Sequence, residues 1–105
     1  MAKWDYDLKE LGKELRELLN KEDSSKENCE KILRQVISCC KFVQKIASLE
    51  DIEWYEIDLQ DLIQDCEDTQ YYLDEYDEES NEDNVNDVLD KFYDLMDEMG
   101  VWIPV

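Results

Sequence analysis

The stretch that decides the fold most clearly is residues 83–99, DNVNDVLDKFYDLMDEM. Its apolar side chains recur every three or four positions, which is the spacing of one face of an α-helix. They are Val85, Val88, Leu89, Phe92, Leu95, Met96 and Met99. Gly100 suits the left-handed backbone that often ends a helix, and Ser80 with Asp83 has the pattern of an N-terminal cap. We therefore predict a long amphipathic helix at about 81–99.

Outward from this stretch, three more segments show helical spacing, and we predict helices at about 5–20, 25–47 and 50–77. Ser24 with Glu27 has the pattern of a capping box for the second helix. The third helix would be about 40 Å long, so it would either overhang its neighbours or break near Asp68 and Thr69. Its predicted inward stripe is Ile52, Tyr55, Leu59, Leu62, Cys66, Thr69, Leu73 and Tyr76.

Short connections and few turn residues favour a single bundle. Only two glycines and one proline occur among 105 residues, and no β-type alternation of useful length is present. Connections of about three to six residues favour antiparallel neighbours. The sequence therefore predicts an all-α, single-domain antiparallel four-helix bundle over residues 1–105, with an apolar tail at 101–105. That tail either folds back over one end of the bundle or serves as a hydrophobic plug for a partner.

The side chains that could carry chemistry argue against an enzyme. The four cysteines, Cys29, Cys39, Cys40 and Cys66, form no C-x-x-C pair, and the chain has no histidine to build a zinc site or activate a thiol. The cysteines lie in apolar helical patterns, so we expect reduced, buried thiols, with disulfide or redox use as the alternative. No Gly-rich phosphate loop is present. We therefore predict no catalytic residue, no metal site and no cofactor.

Secretion and membrane insertion are not expected either. The first residues lack the apolar run of a signal peptide. No segment approaches the about 20 apolar residues that cross a bilayer. Together with the expected free thiols, these features predict a cytoplasmic protein that does not bind membranes.

Negative charge is concentrated in the second part of the chain. Residues 46–105 hold 21 acidic residues and a single basic one, Lys91, whereas residues 1–45 hold 9 acidic and 10 basic residues. Five aspartates follow at alternating steps of four and three residues and form one ladder opposite the apolar face of the last helix. They are Asp83, Asp87, Asp90, Asp94 and Asp97. A solubilising helix normally intersperses lysines, so we interpret the ladder as a binding surface, with a merely solvated surface as the alternative.

A second candidate is a patch of large side chains on the third helix. If the predicted inward stripe of the third helix is right, the side chains of Trp54, Ile57 and Tyr71 project away from the bundle. Exposed aromatic side chains amid charge are typical of interaction hot spots. If the helix is instead rotated about its axis, these side chains pack against another helix or the tail. The candidate partner-binding residues are therefore Asp61, Asp68, Asp74, Glu75, Asp83, Asp87, Asp90, Asp94, Asp97, Trp54, Ile57 and Tyr71.

In its layout of charge across residues 50–98, the chain resembles the DNA-mimic inhibitors that phages and mobile elements use against host restriction or CRISPR nucleases. Those proteins are small, strongly acidic and cytoplasmic, and their carboxylates occupy nucleic-acid channels. The resemblance carries no diagnostic motif. It implies a basic nucleic-acid-binding protein as partner, no direct binding of nucleic acid, and action in the host cytoplasm if the chain is phage-encoded.

Two other classes stay open. One is an immunity protein that neutralises a basic toxin, which would also use an acidic helical surface. The other is a structural or adaptor module, including a homodimer joined through Trp54, Ile57 and Tyr71. Competition with nucleic acid separates the mimic from the adaptor, and the gene neighbourhood separates the mimic from the immunity protein.

Overall fold

A computed structural model describes residues 3–49 and 56–100 of the chain, and these ranges form four α-helices. The helices are α1 (Lys3–Asn20), α2 (Lys26–Leu49), α3 (Glu56–Tyr71) and α4 (Glu78–Met99). No strand occurs within the described ranges. The predicted all-α fold of four helices is therefore confirmed. Trp54 and the tail 101–105 lie outside the described residues.

The α1 and α2 helices run antiparallel, as predicted. The Gln35 side-chain amide donates to the Leu11 carbonyl at 2.9 Å, while the Asn28 amide, earlier on α2, reaches the Leu18 carbonyl, later on α1. The central helix is α2, which packs against α1, α3 and α4, while α3 also packs against α4. The molecule is therefore organised around α2, and α4 lies against α2 as well as against α3.

The core draws on all four helices. Leu15, Leu33, Leu59 and Phe92 come one from each helix, and each is 0% exposed. The four cysteines are also buried, and all are free thiols. The prediction of buried, unpaired thiols is thus confirmed, because each cysteine occupies the apolar face of its helix as a small hydrophobic side chain.

The third helix is shorter than predicted, because α3 ends at Tyr71 and residues 72–76 form a turn. The Leu73 N–H donates to the Gln70 carbonyl, which is the tighter spacing of a turn rather than of an α-helix. Leu73 is buried as predicted, whereas Tyr76 is 51% exposed, so its predicted inward position is wrong. Ile63 takes a core position that the predicted stripe omitted.

Two predicted helix caps are also wrong, each by a small shift along the chain. The α4 helix is capped by Asp77, whose carboxylate accepts the Ser80 N–H at 2.8 Å, so Ser80 itself is not the cap. The α2 helix is capped by Ser25 rather than Ser24, since the Ser25 hydroxyl accepts the Asn28 N–H at 3.3 Å. The C-terminal prediction holds, because Gly100 adopts the left-handed conformation at φ 70°.

Two buried asparagines tie the inter-helix turns to the core, and neither was predicted from the sequence. Asn28 and Asn81 lie in the first turns of α2 and α4 and are 4% and 3% exposed. The Asn28 amide donates to the carbonyls of Leu18 and Asp23 at 3.3 and 2.9 Å. The Asn81 amide donates to those of Leu73 and Tyr76 at 2.9 and 3.4 Å. Asn28 thereby satisfies one carbonyl in the last turn of α1, and the other three carbonyls belong to the turns between helices.

Candidate protein-binding surface

The ladder of five aspartates lies along the outer side of α4. All five residues are exposed, whereas Val88, Phe92 and Leu95 of the same helix are buried on its opposite side. The ladder spans fourteen residues, or about 21 Å at 1.5 Å per residue. No carboxylate of the ladder forms an ion pair or hydrogen bond within the described part of the chain. The structure therefore presents five uncompensated charges in one row on a rigid helix.

A groove between α3 and α4 continues this acidic surface. Its volume is about 310 Å³, and the buried side chains Leu62 and Leu95 contribute to its lining. The acidic residues that line it are Asp58, Asp61 and Asp65 from α3 and Asp94 and Glu98 from α4. Antiparallel packing thus brings two predicted residues, Asp61 and Asp94, to one groove.

Three acidic residues of the groove were not predicted as partner-binding. Asp58, Asp61, Asp65 and Asp68 are spaced at three- and four-residue steps, so they form an acidic row along α3. That spacing is readable in the sequence and would have identified Asp58 and Asp65. Glu98 is different, because its place in the groove depends on how α4 packs against α3.

Two of the acidic residues have basic partners, although residues 46–105 contain only one basic residue. Asp74, a predicted partner-binding residue, forms an ion pair with Lys26 of α2. The Lys91 ammonium lies 3.1 Å from the Asp65 carboxylate across the α3–α4 groove. The hydrogen bond to Asp74 raises the pKa of Lys26, because it favours the charged ammonium. Asp74 therefore contributes less free negative charge than the ladder residues do.

The remaining acidic predictions, Asp68 and Glu75, lie near the end of α3 and are exposed. The Gln64 side-chain amide donates to the Asp68 carboxylate at 2.9 Å, which holds this carboxylate on the outer side of α3. Glu75 lies in the turn that follows the helix, and its N–H donates to the Tyr72 carbonyl at 3.0 Å. A side-chain hydrogen bond thus holds the Asp68 carboxylate, and a backbone hydrogen bond holds Glu75 in the turn.

The predicted patch of large side chains is divided by the structure. Ile57 and Tyr71 are 73% and 75% exposed, which confirms that they project outward. They lie fourteen residues apart on one helix, however, or about 21 Å, so they do not form one contact site. Tyr71 instead joins Tyr72 and Tyr76, with ring centroids 5.1 Å apart for the first pair and 6.3 Å for the second. We call Tyr71, Tyr72 and Tyr76 the tyrosine cluster.

The buried thiols are poor nucleophiles. Burial raises the pKa of Cys39 and Cys66 to about 12, because a thiolate loses its hydration inside the core. Burial also raises the pKa of Cys40 and of Cys29. Nucleophilic and metal-binding cysteines act as thiolates, so these four side chains serve packing. Within the described ranges, no group of three acidic or cysteine side chains is arranged to hold a metal ion.

The opposite side of the molecule carries mixed charge. Exposed lysine and arginine side chains occur on α2, and Arg34 pairs with Glu30 of the same helix at 2.6 Å. Between α1 and α2, Glu14 and Glu17 line a groove together with Lys21, Lys31 and Arg34. The chain thus separates an almost purely acidic α3–α4 side from a balanced α1–α2 side, and the separation gives the molecule a directional electrostatic field.

No protein-family model, curated protein or solved structure matches this chain. The surface is therefore interpreted from its own geometry and charge. None of the helices in the described part of the chain is long and apolar enough to cross a bilayer.

Proposed function

We propose that the α3–α4 surface binds a basic nucleic-acid-binding protein and occupies the site where that protein holds phosphates. The observation that carries the proposal is the α4 ladder, whose five carboxylates are exposed and uncompensated by any cation within the described residues. Like charges at this spacing destabilise a helix by a few tenths of a kcal/mol per pair. An arrangement that costs stability and yields fixed charge is understandable if the charge is used for binding.

The charge spacing supports imitation of a phosphate backbone. The α4 ladder places a carboxylate about every 5 Å along the helix axis, and the α3 row from Asp58 to Asp68 has the same spacing. Together the two rows supply one charge per about 2.5 Å, compared with one per about 1.7 Å of duplex DNA. Since Lys91 neutralises Asp65 in part, the true density is somewhat lower. The charge density of this surface thus approaches that of the nucleic acid that a phosphate-binding protein holds.

The rigidity of the surface also supports the proposal. Aspartate holds its charge close to the backbone, and the backbone here belongs to two packed helices whose inner sides are buried. A fixed field of one sign steers a charged partner and raises its association rate, and this effect declines with salt. If the α3–α4 surface dominates binding, the affinity for the basic partner should therefore decline steeply as ionic strength rises.

Self-association through this surface is disfavoured by its charge. The α3 helix carries six acidic and no basic residues, and α4 carries nine acidic residues and Lys91, so the two helices sum to −6 − 8 = −14. Two copies would have to bring these like charges together. The homodimer is therefore a poorer proposal than a basic partner. An immunity protein would use the same surface on a basic toxin and differs only in the identity of the partner.

We further propose that the protein acts in the cytoplasm and has no catalytic role. Four free, buried thiols suit a reducing compartment. The acidic groups are surface carboxylates, and the cysteines are buried with raised thiol pKa values. Binding by charge is the function that these side chains support best.

The proposal is tested by capturing partners from a host lysate at low salt, then measuring whether duplex DNA competes with each captured protein. The test variant combines Asp87→Lys, Asp90→Lys and Asp94→Lys. A matched control combines Glu10→Lys, Glu17→Lys and Glu27→Lys, which changes net charge equally at exposed positions outside α3 and α4. We expect the ladder variant to lose about 100-fold or more in affinity for the captured protein, and the control to lose far less.

Two results would contradict the proposal. If both triple variants lose affinity equally, net charge alone governs binding and the ladder has no special place. If the partner binds equally well with and without saturating DNA, the chain does not occupy a nucleic-acid site.

A further inference from the structure

We infer that the tyrosine cluster is an arginine-selective contact at one end of the proposed binding surface, where the rings and nearby carboxylates together receive guanidinium groups of the partner. The inference rests on the proposed function, since it takes the partner to be basic, and it adds which basic side chain is recognised and where. The cluster consists of Tyr71, Tyr72 and Tyr76, which are 75%, 43% and 51% exposed.

The rings present aromatic surface that the fold itself does not use. Tyr71 and Tyr72 meet edge to face at an interplanar angle of 85°, so ring faces in the pair point in different directions. Tyr72 and Tyr76 are tilted by 52°. Exposed aromatic side chains in contact with one another are a frequent basis of binding hot spots, because they bury a large area with few rotatable bonds.

Exposed carboxylates lie close to the three tyrosines along the chain. Glu67 and Asp68 lie four and three residues before Tyr71 on α3, so they are its neighbours on the helix surface. Glu75 lies between Tyr72 and Tyr76 in the turn. Asp74 is already paired with Lys26, which leaves the other three carboxylates to meet a cation from outside.

Aromatic faces beside carboxylates favour arginine over lysine. A guanidinium is planar and weakly hydrated, so it can stack on a ring while its N–H groups donate to a carboxylate in bidentate geometry. An ammonium is compact and strongly hydrated, and it gains less from an exposed ring. The acidic rows on α3 and α4 make no such distinction, because they act through charge alone.

Other occupants fit the cluster less well. Bases of single-stranded nucleic acid stack on exposed tyrosines, but such sites also need a basic groove for the phosphates, and the carboxylates here repel them. A second copy of the chain would bring another acidic surface. Arginine is the occupant that satisfies both the rings and the charge.

The turn that carries the cluster is anchored from within. The Asn81 amide donates to the Leu73 and Tyr76 carbonyls, and Leu73 itself is 3% exposed. The backbone of the cluster is thus held to the core, and the rings can meet a partner without the cost of ordering a loop.

The inference is tested with two probes of equal charge, nona-arginine and nona-lysine peptides, titrated into the full chain by calorimetry at moderate salt. We expect nona-arginine to bind more tightly by about two- to five-fold for each ring that it contacts. The variant Tyr71→Ala with Tyr76→Ala should bring the two affinities close together. The variant Tyr71→Phe with Tyr76→Phe should keep the preference, because phenylalanine retains the ring face.

The control is Tyr93→Ala, which removes an exposed ring of α4 outside the cluster and should leave the preference unchanged. Equal affinity of the two peptides for the unmodified chain would overturn the inference and leave the proposed function intact. Binding of neither peptide would overturn both. A preference for arginine that survives the double alanine variant would place the contact elsewhere. Direct binding of oligothymidine to the chain that is lost in the same variant would assign the rings to nucleic acid.

Discussion

Replacing Asn81 by aspartate should destabilise the protein strongly at neutral pH, although the two side chains have nearly the same shape. The Asn81 amide is 3% exposed and donates to two backbone carbonyls, those of Leu73 and Tyr76. An ionised aspartate has no proton to donate, so the oxygen that replaces the amide nitrogen would face both carbonyl oxygens away from water. The substitution therefore removes two hydrogen bonds and buries an unpaired charge.

The size of the effect follows from these two losses. Two hydrogen bonds contribute about 1–3 kcal/mol together. The buried, unpaired carboxylate adds a desolvation penalty of about 2 kcal/mol. Burial also raises the pKa of this carboxylate, because the charged form loses its hydration. We therefore expect the free energy of unfolding to decrease by about 3–5 kcal/mol. Domains are typically stable by roughly 5–15 kcal/mol, so this is a large part of the total.

The pH dependence gives the prediction a sign. The new carboxylate has a higher pKa in the folded state than in the unfolded state, where the pKa is about 3.9. The variant is therefore most stable relative to the unmodified chain below about pH 3.9, and it loses stability as pH rises through the folded pKa. The matched control is Asn86→Asp, which adds the same charge to an exposed position of α4. Urea unfolding followed by circular dichroism, at about pH 5 and 7.5, should show the difference between the two variants growing with pH. If the two variants remain within about 0.5 kcal/mol of each other at neutral pH, the buried amide does not have the role we assign to it.

Three further predictions concern the thiols and the charged surface. All four cysteines should react slowly with a thiol reagent in the native state and fully after denaturation, and a fast-reacting native thiol would contradict their burial. Because burial raises the folded pKa of Cys39 and Cys66 to about 12, stability should be fully present below the unfolded thiol pKa of about 8.5 and decline above it, by up to about 1.4 kcal/mol per pH unit for each thiol. Unfolding curves between about pH 8 and 10 should show a shallower decline for Cys66→Ala than for the unmodified chain. Moderate salt should raise the melting temperature, because it screens repulsion among the carboxylates of α3 and α4, and a steady decrease between about 20 and 300 mM salt would argue against that repulsion.

Local periodicity explains why the helices and the ladder could be predicted. Val88, Phe92 and Leu95 face the core because they share one side of a helix, and the same geometry places Asp87 and Asp94 outside. These relations need only the pitch of one helix, so they are readable in the sequence. The inward position of Tyr76 was wrong because the pitch was extended across a turn that the sequence does not mark with glycine or proline.

The proposed binding role of the surface depends on charge as well as on periodicity and packing. The sequence indicates the acidic side through composition, and the structure adds which carboxylates are compensated. Asp74 illustrates the limit. In sequence it belongs to the acidic block, but its ion-pair partner, Lys26, lies 48 residues earlier on α2.

The sequence by itself determined four amphipathic helices, an acidic second part, and thiols on apolar sides of helices. Each of these properties depends on residues within a few positions of one another. The period of the α-helix fixes which of these residues share one side, so the pattern is readable in the sequence. The tertiary structure alone decided that α2 is central, that Asp61 and Asp94 share a groove, and that Tyr76 joins Tyr71 and Tyr72. These contacts depend on the place where α3 ends and on the helix against which α4 packs. Both follow from filling one common core around side chains such as Leu73 and Asn81, and the spacing of residues within a single helix does not specify that packing.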